Sequence, residues 1–529
     1  GVSRQQLEAM RKEIADLKRN ANRPTPNAEQ QGSGQNIGGT TTKESLLGGD
    51  RRSLRTPRDD QQGAVIQEER TSLDPDARLS LVERKQELVE EDAAKKAATT
   101  PAISFNEKGF VIKSADGNHA LRMGGCLQLD GRQYINEESD TANQFLIRRA
   151  RVYASGTLWK YVDFRFMPDF GTLDQQGTAN TAIICDAWLI FNVQKEFQIQ
   201  VGKFKPPLGL EMLQADQNTV FMERGPVGQL QPNRMLGFMP NGLLFDDTLN
   251  WAVGVFADAP DNYTQTVDTQ TGYNVIARLF ARPFVNEADE LTNLGFGVAG
   301  SYMNGDDPAA STNPQNNGLN SFASDAGNKF FNWNTSTGVT KNGACWRINP
   351  QAFYYYGPWG IQTEYIVESQ KLSLISGSAS QQRPISDTSW AWQTILTYNI
   401  TGEDNSFDTL VPANNFDFFE SENPDAVGLW QLAFRADQIQ LDSDLFNQPN
   451  SSNTFVGSGG AYNNARGYHS YSLGLSWYLN PNFRAYLDGV YTIWDYASSP
   501  NTGGNGVPAK NQIISNNEIG ITARIQCFF

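Results

Sequence analysis

From about residue 105 to the C-terminus, the chain alternates between apolar and polar residues with a period of two. The last such segment keeps its polar side chains largely on one face, and the apolar side chains of the other face are Ile519, Ile521, Ala523, Ile525, Cys527 and Phe529. This alternation is typical of a β-strand with one apolar and one solvated face. The pattern therefore predicts an all-β body built from half-solvated strands.

Sixteen segments of this kind can be placed along the chain. They lie at about 119–134, 146–156, 160–168, 183–192, 197–204, 241–246, 249–257, 273–283, 294–303, 345–356, 359–368, 389–399, 429–438, 469–479, 483–493 and 515–529. Many are about nine to eleven residues long, which is the length that a tilted strand needs to cross a bilayer.

The connections between these segments alternate between short and long. Those after the second, fourth, sixth, tenth and fourteenth segments are short, whereas 205–240, 304–344 and 439–468 are long. Short turns at one end and long loops at the other are typical of an outer-membrane barrel. We therefore predict a 16-stranded antiparallel transmembrane β-barrel over 105–529. The connection 400–428 is long where a short one is expected, so either this turn is elaborated or a missed strand pair gives eighteen strands.

Composition is compatible with this reading. Only 39% of the residues are hydrophobic and the mean hydropathy is −0.49, and no apolar run of about 18 residues forms a membrane-spanning helix. A soluble sandwich or propeller also has many alternating strands. Neither explains why loop length follows strand parity, and no blade-like repeat is visible.

The first hundred residues contain no Phe, Trp or Tyr and form a different region. Leu7, Met10, Ile14 and Leu17 form an a/d seam, which predicts a short coiled-coil helix over 1–20, with a lone amphipathic helix as the alternative. Residues 21–75 are predicted to be a flexible, disordered linker and 76–100 a helical segment. This region has 17 basic and 17 acidic residues, so the rest carries the whole net charge of −15. A nucleic-acid partner is therefore not expected.

Several stretches of the body resemble the phosphate-selective porin O and P family. They are LRMGGCLQLDGR (121–132), FLIRRARVYASGTLWKYVDFRFMPDFG (145–171), QIQVGKFKPPLGLEML (198–213) and YSLGLSWYLNPNFRAYLDGVY (471–491). The resemblance extends over about 105–529 and leaves out the aromatic-free N-terminal region.

The resemblance implies a trimeric outer-membrane porin with its N-terminus in the periplasm and its signal peptide already removed. Such porins are often selective for anions such as phosphate. Phe529 looks like the terminal aromatic residue that barrel-assembly machinery recognises. Cys126 stands where the family usually has arginine, so strict phosphate selectivity is in doubt for this chain.

Strand parity predicts which charged residues face the lumen. Arginine binds oxyanions at two points and keeps its charge, so the predicted pore-lining anion path consists of Arg122, Arg132, Arg149, Arg151, Arg165, Arg278, Arg435 and Arg524. The alternative is that these arginines pair with Asp130, Asp163 and Asp437 and only stiffen the wall. Parity directs Arg148 outward, toward an interface or a subunit contact.

The long loop 205–240 is the predicted constriction. Its candidate charged residues are Lys205, Glu211, Glu223, Arg224 and Arg234. Its many Leu, Met and Phe residues are unusual for a solvated loop and indicate packing against the inner wall. Because the charges are mixed, a transverse field and an anion site are both consistent with the loop.

Other chemistry is weakly indicated. His119 and His469 lie far apart with no nucleophile motif, so we predict a protein that is not an enzyme and needs no cofactor. The four Cys residues show no zinc or redox spacing. Paired acids in 74–77 and 441–446 are compatible with calcium, but ordinary solvated loops explain them better.

Together these features predict a porin in the cell outer membrane, embedded in lipid, with a water-filled channel for passive diffusion of small hydrophilic solutes. Inorganic or organic anions such as phosphate are the preferred solutes. The alternative is a structural barrel that anchors the outer membrane to peptidoglycan or a surface layer through its N-terminal helix.

Overall fold

A computed structural model describes residues 75–106, 109–135, 143–171, 182–257, 272–306, 319, 321–333, 339–375, 382–417, 426–446, 455, 465–496 and 517–529. The chain divides into two compact units, 1–101 and 102–529. In the first unit, helix α1 spans Pro75–Thr99, where the sequence predicts a helical segment. The predicted coiled coil over 1–20 and the linker up to residue 74 lie outside the described residues. In the part of the chain that is described, no helix is both long enough and apolar enough to cross a membrane.

The second unit consists mainly of β-strands. Its strands are β1 (Ala102–Asn106), β2 (Gly109–Lys113), β3 (Ala120–Tyr134), β4 (Gln144–Leu158), β5 (Val162–Asp169), β6 (Ile183–Gln194), β7 (Phe197–Phe204), β8 (Met235–Leu244), β9 (Leu249–Ala257), β10 (Tyr273–Ala281), β11 (Leu294–Asp306), β12 (Phe322–Ala323), β13 (Lys329–Phe331), β14 (Val339–Tyr356), β15 (Trp359–Ile375), β16 (Gln382–Asn399), β17 (Leu429–Gln440), β18 (Ala465–Asn480), β19 (Phe483–Tyr496) and β20 (Asn517–Phe528).

Strands β3–β11 and β14–β20 pair antiparallel with their neighbours, and β20 pairs with β3, which closes a 16-stranded barrel. The predicted fold class is therefore confirmed. The connection 400–428 contains no strand among its described residues, 400–417 and 426–428. It is an elaborated turn, and the eighteen-strand alternative is wrong.

Two strands outside the barrel ring were not predicted. β1 and β2 form a hairpin, and β2 pairs with the first residues of β3, from Phe110 opposite Met123 to Lys113 opposite Ala120. The rest of β3 pairs with β20 instead. The hairpin therefore continues the sheet at the short-turn end, next to the C-terminus.

The predicted segment 241–246 is wrong at its start, because β8 begins at Met235. Pro240 and three nearby residues that favour turns, Gly237, Asn241 and Gly242, weaken the strand signal there. Pairing overrides this weak propensity, because β8 is hydrogen-bonded to β7 from Met235 to Asn241. The long loop before it is consequently 205–234.

The two faces of the wall follow the predicted parity. Side chains directed outward are large and apolar, as shown by Phe145, Val152, Leu473 and Ile525, which are all more than half exposed. Side chains directed inward are polar on most strands. Apolar outward faces suit contact with lipid hydrocarbon.

Loops fill much of the lumen, because wall side chains alone cannot fill a barrel of this width. Residues 321–333, which include β12 and β13, fold inside at the long-loop end and are called here the upper plug. Its aromatic residues Phe330, Phe331 and Trp333 pack in a core with wall residues such as Tyr468 and Trp494. Loop length alone predicts only a long loop here, and the aromatic run KFFNW (329–333) is the signal that could have identified the plug.

Candidate functional site in the barrel lumen

Residues 205–234, called here the inward loop, lie inside the barrel. The apolar side chains are buried, with Leu208, Leu210, Phe221, Val227 and Leu230 all at 1% exposure or less. Leu208 packs with Phe256 and Ile276 of the wall, whereas Phe221 packs with Ile395 and Ala433 on the other side. The apolar composition of the loop therefore reflects packing across the lumen.

Wall arginines donate hydrogen bonds to main-chain carbonyls of the inward loop. The pairs are Arg484 with Thr219 (3.0 Å), Arg524 with Met222 (2.7 Å), Arg435 with Glu223 (2.9 Å) and Arg347 with Leu230 (2.8 Å). In the opposite sense, the Glu364 carboxylate accepts from the backbone N–H groups of Leu210 and Glu211, both at 2.7 Å. Because buried main-chain groups need partners, this network holds the loop in one position.

Glu223 anchors the middle of the inward loop. Its carboxylate lies 2.9 Å from Arg132, 2.8 Å from Arg148 and 3.4 Å from Arg524. The Arg132 and Arg524 side chains are almost completely buried, at 1% and 0% exposure. Three guanidinium groups therefore share this carboxylate, and two of them, Arg132 and Arg524, also pair with Asp130.

The outward orientation predicted for Arg148 is wrong. Gln128 of β3 lies opposite Arg149, whereas the next residue, Leu129, lies opposite Ile147. Arg148 is thus the extra residue of a β-bulge, and the bulge breaks strand parity. Its side chain consequently reaches Glu223 inside the lumen.

Asp216 is a second focus of charge in the inward loop. It forms ion pairs with Arg151 and, at 2.6 Å, with Arg224, and Lys205 lies 3.9 Å away. Arg149 and Arg234 are each 3.8 Å from it. Sequence alone does not single out this aspartate, because its convergence with five cations depends on the fold of the loop.

The charges around Glu223 make this anchor resistant to acid. Burial alone would raise the pKa of the Glu223 carboxyl, but Arg148, Arg132 and Arg524 outweigh burial and hold its pKa well below the usual 4.5. When the pKa of a carboxyl group is lower in the folded state than in the unfolded state, its ionised form stabilises the fold at any pH above the unfolded-state pKa. This stabilisation is lost only as the pH falls below that value. Glu223 is therefore expected to stay ionised from pH 7 to 4.5, and the ratio of the Glu223→Gln conductance to the wild-type conductance should be the same at both pH values. A ratio that approaches one at pH 4.5 would contradict the assignment.

The eight predicted anion-path arginines occupy different settings. Four of them are at most 7% exposed and lie beneath the inward loop and the upper plug, namely Arg132, Arg149, Arg435 and Arg524. Arg278 donates to Gln351 at 3.0 Å and to Asn250 at 3.3 Å. Arg122, Arg151 and Arg165 line a cavity. A role in anion passage stays a prediction. Of these three cavity arginines, Arg122 and Arg165 are the more accessible, whereas the Arg151 side chain is 9% exposed and pairs with Asp169 and Asp216.

The ion pairs of the wall-stiffening alternative are also partly present. Arg524 pairs with Asp130 at 2.6 Å across β20 and β3, and Arg435 lies 2.9 Å from Asp437. Asp163 instead accepts hydrogen bonds from Thr157 and Asn192.

The upper plug is held by two acids, one in the plug and one in the wall. Asp325 pairs with Arg435 at 2.5 Å and accepts from Tyr468 at 3.0 Å. Glu518 of β20 accepts from Ser324 at 2.8 Å and from Asn328. The plug is therefore fixed to β17–β20, on the side of the barrel where the inward loop is also anchored.

Residues 400–417 of the elaborated turn also reach into the lumen, from the short-turn end. Phe407 stacks on Phe353 with ring centroids 5.0 Å apart, and its carbonyl accepts from Gln214 of the inward loop at 2.9 Å. Thr409 donates to Asn218 at 3.1 Å. Residues 400–417, called here the lower plug, are thus joined to the inward loop.

A cavity of about 580 Å³ lies between the inward loop and β3–β7, and it is called here the lumen cavity. Its lining includes wall residues (Arg122, Arg151, Tyr153, Arg165, Trp188 and Gln200), inward-loop residues (Lys205, Asp216 and Arg234) and lower-plug residues (Thr409 and Val411). Tyr153, Trp188 and Gln200 are not among the predicted site residues, which are all charged, although strand parity is a signal that could have identified them.

Positive charge predominates in the lumen cavity. Its lining contains four arginines and Lys205 but only two acidic side chains, Asp186 and Asp216. Burial and the nearby Arg224 lower the pKa of Lys205 well below its usual value. Even without the Lys205 charge, arginines outnumber carboxylates, and anions are therefore favoured electrostatically.

Of the five predicted constriction residues, two line the lumen cavity and three stabilise the inward loop. Lys205 and Arg234 line the cavity, and Arg234 pairs with Asp186 at 2.8 Å. Glu211 accepts from Gln393 at 2.8 Å, and Arg224 donates to the Glu211 carbonyl at 3.0 Å. Glu211, Glu223 and Arg224 therefore hold the loop together.

Cys126 offers a chemical test of the cavity. It is a half-buried free thiol in the lining, whereas Cys527 faces outward and Cys185 is buried. Relative to their rates with free cysteine, we expect an anionic sulfonatoethyl methanethiosulfonate to react faster with Cys126 than the cationic trimethylammonium reagent does. Modification should lower the conductance, and dithiothreitol should restore it. An equal response in Cys126→Ser would contradict the assignment.

The remaining candidates lie elsewhere. His119 contacts Trp159 at a short turn, with ring centroids 5.8 Å apart, and His469 lies exposed on β18. Asp442 uses its carboxylate to accept from the N–H groups of Thr388 (2.7 Å) and Asp444 (2.9 Å). Among the described residues, no cluster of His, Cys, Asp and Glu could hold a metal ion.

Comparison with known proteins gives three similarities. The profile of the family described as phosphate-selective porin O and P matches residues 121–503. Porin O of Pseudomonas aeruginosa is 23% identical over 392 residues, which cover 70% of this chain and 82% of that protein. The outer membrane channel DcaP of Acinetobacter baumannii is 10% identical with a TM-score of 0.45, over 78% of this chain and 99% of that one.

Proposed function

Because this chain belongs to the phosphate-selective porin O and P family, whose members are outer-membrane channels, we propose that it conducts small hydrophilic solutes passively and prefers anions. The observation that carries the anion preference is the lumen cavity, where arginines outnumber carboxylates. Rings and clusters of arginine favour anions as long as binding remains weak enough for release.

The net charge of −15 does not oppose this proposal. Many carboxylates form buried ion pairs, as Asp130 does with Arg524. Others lie in turns away from the cavity, as Asp289 does. Field lines concentrate where a cleft is lined by one sign of charge, so the local balance governs which ions enter.

The proposed assembly is a homotrimer in outer-membrane lipid, with the short turns and the N-terminus in the periplasm and the signal peptide removed. Support comes from the family, in which these are the expected arrangements. Contact of residues 1–100 with peptidoglycan stays a prediction, which truncation before residue 75 and a pull-down with purified peptidoglycan would test.

The proposal is tested by reconstituting the protein in planar bilayers under a KCl gradient. We expect stepwise currents and a reversal potential displaced toward that of chloride. Arg122→Gln should reduce this displacement, because it removes an exposed cation from the cavity. Arg466→Gln, outside the cavity and paired with Asp495, is the matched control. An electrically silent folded barrel, or a cation-selective one, would refute the proposal.

A further inference from the structure

The lumen cavity has two chemically different parts. Charged groups occupy one part, but Tyr153, Trp188, Phe204 and Phe529 also belong to the lining. Aromatic surface gains nothing from contact with a small, fully hydrated inorganic anion, whereas it gains free energy by covering an apolar body. The lining therefore has more apolar recognition surface than phosphate can use.

Trp188 is placed to offer a ring face. It lies opposite Arg165 in the β5–β6 register, so both side chains point into the lumen. Trp188 is half-buried and packs against the apolar cluster formed by Phe204, Met239 and Phe256. This packing fixes the indole while part of it still lines the cavity.

Arg165 and Arg122 are placed to bind a carboxylate beside that ring. The Arg165 guanidinium stacks over the Tyr153 ring at 4.8 Å and lies 3.4 Å from Asp186, so its charge is only partly balanced. Arg122 is exposed and has no ion pair among the described residues. Arginine presents a planar fork that matches carboxylate geometry.

We propose that the lumen cavity is a binding site for organic monocarboxylates with an aromatic ring, which contact Arg122 and Arg165 through the carboxylate and Trp188 and Tyr153 through the ring. The site rests on the proposed anion-preferring channel and specifies its solute class. A volume of about 580 Å³ lies within the range of roughly 300–1,000 Å³ that is common for small-molecule sites.

The test measures block of the KCl current in planar bilayers by benzoate, acetate and inorganic phosphate at equal ionic strength. Benzoate should reduce the current at roughly tenfold lower concentration than acetate or phosphate, because only benzoate carries a ring. In Trp188→Ala, the half-blocking concentration of benzoate should rise roughly three- to tenfold, with acetate unchanged. Arg122→Gln should weaken block by both carboxylates.

Matched variants separate the ring contact from damage to the fold. Trp188→Phe keeps a ring and should retain part of the difference between benzoate and acetate. Trp251→Ala removes an indole that lies outside the cavity lining and should leave block unchanged. If benzoate, acetate and phosphate block a conducting, anion-selective wild-type channel equally, the binding site is refuted while the channel function stands. Loss of anion selectivity in the wild type would refute the channel proposal instead.

Discussion

Glu223→Gln should release the inward loop and raise the single-channel conductance. The substitution leaves Arg132, Arg148 and Arg524 without the carboxylate that they share. Removing one partner of a buried ion pair costs about 3–5 kcal/mol, because the remaining charge is left uncompensated in a poorly solvated site. Here Arg132 and Arg524 keep Asp130 as a partner, but repulsion among the three cations is no longer balanced by Glu223 and opposes docking of the loop.

The measurements are single-channel conductance, reversal potential in a KCl gradient and the temperature at which the heat-modifiable band disappears. Conductance and anion preference should rise, and the transition temperature should fall. Glu287→Gln, which removes an exposed carboxylate from the short connection between β10 and β11, should change none of them. Wild-type conductance and selectivity in Glu223→Gln would mean that the main-chain hydrogen bonds hold the loop without this anchor.

Gly124→Ala should prevent closure of the barrel. A Cβ atom at Gly124 would overlap the carbonyl oxygen of Phe529 and the phenol of Tyr153. Both neighbours are already fixed, because Gly125 and Phe529 exchange main-chain hydrogen bonds of 2.8 and 3.1 Å and Tyr153 donates to the Phe529 carbonyl at 3.3 Å. Overpacking costs about 1–3 kcal/mol, and more when the backbone must move.

The steric overlap at Gly124 destabilises the β3–β20 seam, where the first and last barrel strands meet. We expect most of the protein to migrate as the unfolded band in unheated gels and little to reach the outer membrane. Gly489→Ala is the matched control, since its Cβ would have its nearest neighbour, the Leu473 carbonyl oxygen, at 4.0 Å. Normal folding of Gly124→Ala would show that the C-terminal residue can shift without opening the seam.

The strands of the barrel wall could be predicted closely from the sequence. Predicted and observed segments agree within a few residues for β3, β6, β7 and β9, because a period-two pattern is a local property of any strand with unlike faces. Parity also directs Arg132, Arg435 and Arg524 inward, where the structure places them. It failed at Arg148, because one bulge changes the phase of the alternation.

The segments that fill the lumen, and the partners of its arginines, could not be predicted in the same way. The sequence identified 205–240 as an inward loop, but it did not show that 321–333 and 400–417 also fold inside. Nor did it show that Arg435 and Arg524 would donate to loop carbonyls while Arg122 and Arg165 line a cavity. These outcomes depend on contacts between residues far apart in the sequence, such as Arg524 and Met222, which are 302 positions apart.

The sequence by itself thus determined most strands of the wall and the face on which most of their side chains lie, because both follow from local alternation and connection length. Only the tertiary structure decided which inward charges hold loops and which line a cavity. The physical reason is that a buried arginine takes its role from the carboxylate or carbonyl that it reaches. In this barrel those partners come from loops that cross the lumen.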